Sequence, residues 1–276
     1  MMGRFDDDEV GGFLVVATLP SKSLLEKSIP KFLQDTKIGK EVIRLLQGYF
    51  YNKLGTLSRK FYTVILPTYT IKTVFGYILP PMFLNEFMRE IEKLKKEYEK
   101  YERDLEAFLR EGKIPDDASE TAEFYAEYIE LIKKYLQINE ISVPEIASRV
   151  RIDLIPFIIS RRVIENLAHE RVREDMFALF EDTKTEIYNA VVRNIEETLN
   201  SIAKRIKEYQ VKTLTKKAVK AIREDVERAV AIAYQYNIDS ERVRILVKMR
   251  DELMRMEGGE SLESGRLEIL LREVIE

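Results

Sequence analysis

Residues 166 to 209 contain neither glycine nor proline. Apolar side chains recur through them at Val172, Met176, Phe180, Thr183, Ile187, Val191, Ile195, Leu199, Ile202, Ile206 and Tyr209. The steps are all three or four, the period of an α-helix with one apolar stripe. Arg171, Arg173, Glu174, Asp175, Arg193, Glu196, Glu197 and Lys204 lie between the stripe positions. At 1.5 Å per residue such a helix spans roughly 60 Å. A striped helix of that length needs other long helices against its apolar side, and this constrains the rest of the chain.

The same period recurs elsewhere. Residues 82 to 111 repeat Phe87, Ile91, Leu94, Tyr98, Tyr101, Leu105 and Phe108 in steps of 4, 3, 4, 3, 4 and 3. That is a heptad seam. Pro80-Pro81 opens it, and Gly112 and Pro115 close it. Residues 119 to 136 carry a second helical face, Ala122, Tyr125, Ile129, Ile132 and Leu136, and the two segments read as a helical hairpin. Helices are also expected over 23–33, 40–57 (face Val42, Leu45, Leu46, Tyr49, Phe50, Leu54), 214–236 and 241–257. The turn Asn237-Ile238-Asp239-Ser240 separates the last two, and residues 262–276 form a short tail.

Three stretches read as extended. Residues 13–19 (FLVVATL) follow Gly11-Gly12 and precede Pro20. Residues 61–75 are rich in Thr, Val, Ile and Tyr, with Pro67 breaking the run. Residues 150–159 alternate Val150, Ile152 and Leu154 with Arg151 and Asp153, a half-buried strand ending near Pro156. The expected fold is mainly α: elongated, coiled-coil-like long-helix hairpins on a small base with a few β-strands. The expected organisation is a base over 1–80, a heptad hairpin over 81–140, a returning strand over 141–160, a long-helix bundle over 161–257 and a helical tail over 258–276.

The elements match a known order. A Gly76-Tyr77-Ile78-Leu79-Pro80 turn enters the heptad helix rich in Tyr, Phe and Leu. A strand over 151–156 precedes the second long helix, and an Asn-x-Asp turn follows at 237–239. In these features, over about residues 60 to 255, the chain resembles the domain-of-unknown-function family 3150. That family's members occur in bacteria, phages and archaea, often beside MoxR-type AAA+ ATPases and von Willebrand proteins. The resemblance implies an ATPase-linked or mobile-element partner protein and carries no catalytic residues. The chain departs from the pattern in having no tryptophan and a long N-terminal helical region.

Composition narrows the function classes. Charged residues make up 34 % of the chain, above the roughly 25 % of ordinary proteins, yet the net charge is only -3. Interspersed signs suit solvated helix faces. Abundant Glu, Lys, Arg and Ile with no cysteine match a thermophilic composition. Without cysteine there is no disulfide framework or thiolate metal site. No apolar run reaches the roughly 18 residues of a membrane span, and the start lacks a basic-then-apolar leader. A cytoplasmic protein without membrane contact is expected.

Chemical motifs are sparse. His169 is the single histidine; with Glu165 it places two ligand types on one helix face, but a metal site needs more. It reads as an exposed histidine at a helix start. Asp6-Asp7-Asp8-Glu9 lacks the spacing and glycine of a calcium loop. Gly11-Gly12 lacks the later Gly and Lys of a phosphate loop, and no serine sits in a Gly-x-Ser-x-Gly elbow. No cofactor, metal or catalytic residue is therefore assigned. Tyr98, Tyr101, Tyr125, Tyr128 and Tyr135 could stack bases, but their spacing places them in a core, their hydroxyls reaching flanking Glu and Lys.

Residues 200–223 carry the strongest charge signal. Lys204, Arg205, Lys207, Lys212, Lys216, Lys217, Lys220 and Arg223 stand against Glu208 alone, eight cations less one acid or +7. Such a run attracts a nucleic-acid backbone, or it is a solvated face meeting acidic segments such as 97–123. The expected function is a non-enzymatic helical scaffold or adaptor working through protein–protein contacts, with an AAA+ ATPase as a partner. A homo-oligomer is one arrangement this allows. The alternative is a DNA- or RNA-binding accessory protein of an archaeal virus or plasmid, using the basic run.

Overall fold

A computed structural model describes residues 8–26, 37, 40, 48–111, 113, 115–117, 127, 130, 134, 143–209 and 216–257. In order these form β1 (Glu9–Thr18), α1 (Ser23–Glu26), α2 (Phe50–Lys60), a π-helical turn (Phe61–Ile65), α3 (Leu66–Tyr69), β2 (Ile71–Thr73), β3 (Gly76–Leu79) and α4 (Leu84–Glu111). Then follow β4 (Arg151–Ser160), α5 (Arg161–Glu165), α6 (Glu170–Tyr209), α7 (Lys216–Gln235) and α8 (Glu241–Glu257). The protein is mainly helical, with several long helices and one small antiparallel sheet ordered β2-β3-β1-β4. The expected hairpin helix over 119–136 and the tail over 262–276 lie outside the described residues, apart from isolated positions.

The chain divides into two compact units, Met1–Leu14 with Thr70–Met82 and Ile155–Glu276, and Val15–Tyr69 with Phe83–Leu154. The division falls within β1 and within β4.

In the second unit the heptad seam of α4 is buried: Phe87, Ile91, Leu94, Tyr98, Tyr101, Leu105 and Phe108 are all at most 2 % exposed. Helix α2 packs on α4. Phe50 lies edge-on to Tyr101 and tilted against Phe108 (centroids 5.8 and 5.1 Å). The hydroxyls of Tyr98 and Tyr101 do not use flanking Glu and Lys as expected, and Tyr125, Tyr128 and Tyr135 lie outside the described residues. Tyr101 donates to the Phe50 carbonyl at 3.0 Å, and the Tyr98 hydroxyl shares a hydrogen bond with that of Ser58 at 3.1 Å. A buried phenol takes whatever partner the facing helix offers.

Residues 61 to 69 are helical rather than extended. Phe61, Ile65 and Leu66 share one buried side, while Tyr62, Thr63 and Val64 face outward. Burial of that side overrides the β-branched composition. Thr63 also returns its hydroxyl to the Arg59 carbonyl at 2.8 Å. Pro67 follows a widened turn in which the Leu66 amide reaches Phe61, five residues back. The widening falls where proline supplies no amide and crowds the preceding turn.

In the first unit β2 and β3 form a hairpin, Ile71 opposite Ile78 and Thr73 opposite Gly76, so residues 76–79 are a strand and not only a turn into α4. Strand β1 begins at Glu9 and includes Gly11 and Gly12. A Cβ on Gly12, whose φ is +158°, would lie 2.8 Å from Ile78 Cγ2 and 3.1 Å from the Leu79 carbonyl oxygen. The Tyr236 hydroxyl, at the end of α7, donates to the Gly11 carbonyl at 3.1 Å. Glycine admits this close approach. Strand β4 runs through Pro156 to Ser160 rather than ending there; it is a sheet edge, which tolerates a missing amide.

Helix α7 ends in a Schellman turn. Asn237 has φ +56°, Ile238 N–H bonds the Ala233 carbonyl and Asn237 N–H that of Tyr234. The Ser240 hydroxyl accepts the Val243 amide at 3.3 Å and caps α8. Helices α7 and α8 pack together, and both reach α6.

Candidate interaction surfaces

The apolar stripe of α6 is covered over only part of its length. From Phe180 to Ile202 it is core: Phe180, Ile187, Val191, Ile195, Leu199 and Ile202 are at most 3 % exposed. Strand β2, α7 and α8 lie against this helix. From Glu170 to Leu179 no side chain is buried. Val172 and Leu179 are 46 % and 42 % exposed, and on the adjoining α5 Val163 is 65 % exposed. Arg161 lies over the Phe177 ring at 5.9 Å, so its charged end shields part of this surface. Apolar side chains left in water along a helix face mark a contact surface when they cluster.

The basic run is partly neutralised by residues that follow it. Arg205 on α6 meets Asp225 on α7 at 2.8 Å, and Arg228 joins the same carboxylate at 3.0 Å. Arg223 pairs with Glu227 at 3.5 Å and Lys220 lies 4.0 Å from Glu224. Extending the count to residue 228 gives nine cations less four acids, +5 in place of +7. Lys204, Lys217 and Lys220 are exposed. Lys212 lies outside the described residues, as do the side chains of Lys207 in α6 and Lys216 at the start of α7. The described part of the run thus holds one ion pair from α6 to α7 and several along α7, with exposed lysines beside them.

One polar cluster, at the start of α2, was not legible in the sequence. Tyr49 donates to Asp117 at 2.6 Å, and Lys53 donates to the Tyr49 oxygen at 2.7 Å and to Asp117 at 2.8 Å. Asp104 stands 3.7 Å from Lys53. The hydrogen bonds from Lys53 and then Tyr49 hold the Asp117 carboxyl down at about 2, while burial followed by the bond to Asp117 pushes the Tyr49 phenol up. Both shifts move these groups away from proton exchange near neutrality. The cluster tethers the chain leaving α4 back onto α2. A Tyr-x-x-x-Lys spacing was visible at Tyr49 and Lys53, but nothing marked Asp117 as their partner. At the returning end of that segment, Glu102 on α4 accepts the amides of both Ile146 and Ala147.

His169 is exposed, and its carbonyl accepts the Arg173 amide at the start of α6. Among the described residues no group of three or more His, Asp or Glu side chains could hold a metal ion, and no helix is long and apolar enough to cross a membrane. Asp8 of the acidic start bonds the Arg161 amide through its carbonyl; Asp6 and Asp7 lie outside the described residues. No family model, curated protein or solved structure matches the chain.

Proposed function

We propose that this protein is a non-enzymatic helical scaffold or adaptor that works through protein–protein contacts. Two exposed apolar side chains in the first turns of α6, Val172 on the stripe and Leu179 beside it, carry the proposal: a helix continuous with the core offers apolar side chains that nothing among the described residues buries. A rigid helix face presenting spaced apolar anchors fits a groove-forming or helical protein partner. The resemblance to family 3150 points to an AAA+ ATPase as that partner. The competing reading is binding of DNA or RNA, which the exposed Lys204 and Lys217 favour and the pairs from Arg205, Lys220 and Arg223 to α7 acids weaken.

A photoreactive residue placed at 172 or 179 in the intact chain, irradiated in the source cell, tests the proposal. The expected result is one discrete protein adduct from both positions, identified by mass spectrometry, and none from the buried position 191. Adducts to nucleic acid, or no adduct at either position, would overturn it.

A further inference from the structure

We draw no further inference here: the strongest candidate, the apolar face left uncovered on α5 and the first turns of α6 around Val163, Val172 and Leu179, is the surface on which the proposed function already rests, and nothing in the structure shows what covers it.

Discussion

Phe50→Ala probes how the second unit is held together. Phe50 is 1 % exposed and touches three rings: Tyr49 at 4.9 Å, Tyr101 at 5.8 Å and Phe108 at 5.1 Å between centroids. All three distances lie in the favourable range for aromatic pairs. Transfer of the ring from water contributes about 1.5–3 kcal/mol. The cavity left behind raises the cost of removal to about 3–5 kcal/mol. Tyr101→Phe is the matched control. It keeps the ring and deletes only the hydroxyl bonded to the Phe50 carbonyl, at about 0.5–1.5 kcal/mol. Amide hydrogen exchange followed in peptides from α2 and α4 reads the second unit without interference from the first. At about 1.4 kcal/mol per tenfold, Phe50→Ala should speed exchange in both helices by about two to three and a half orders of magnitude. Tyr101→Phe should speed it about tenfold or less. If Phe50→Ala changes exchange by less than about tenfold, α2 is not what stabilises the seam of α4.

Other outcomes follow from single contacts. Gly12→Ala should destabilise the first unit by about 1–3 kcal/mol, since a strained backbone and a Cβ against Ile78 must both be accommodated; an unchanged urea midpoint would contradict the close packing there. Tyr236→Phe should cost about 0.5–1.5 kcal/mol through loss of the bond to Gly11, read in the same urea titration. Asp117 has a folded pKa of about 2, below its ordinary 3.8, so its contribution is present above about pH 4 and is lost as pH falls towards 2. Asp117→Asn should therefore flatten the acid limb of urea midpoint against pH, and an acid limb identical to the parent's would remove the clamp from consideration. Duplex DNA binding should be weak at about 50 mM salt and absent at about 200 mM. Binding retained at the higher salt and abolished by replacing Lys212, Lys216, Lys217 and Lys220 with Glu would favour the nucleic-acid reading.

Periodicity made the helices legible, and contacts distant in sequence set what was not. The heptad steps from Phe87 to Phe108 identify a buried seam, yet no local signal says that Phe50, 51 residues before Tyr101, lies across it. Thr63, Val64 and Pro67 suggested extended chain because local propensity ignores the buried side that Phe61, Ile65 and Leu66 form. Pro156 suggested a strand end because the sequence does not say that β4 is an edge. Gly11-Gly12 suggested a boundary because Tyr236, which approaches β1 there, lies 225 residues from Gly11. The basic run looked stronger than it is because its count stopped at Arg223, one residue before Glu224 and Asp225. The α6 stripe was legible throughout, but a stripe does not say how much of itself is covered.

Thiol labelling tests most directly whether α6 leaves the start of its stripe open. The chain has no cysteine, so Val172→Cys, Leu179→Cys and Val191→Cys each carry one reporter. In the purified protein, Cys at 172 and 179 should react with a maleimide at nearly the rate of an unfolded control. Cys at 191, where the native side chain is 0 % exposed, should react only through opening of the fold. Protection of positions 172 and 179 as strong as that of 191 would show that the first turns of α6 are already buried in the free protein, and the surface proposed for its partner would not exist.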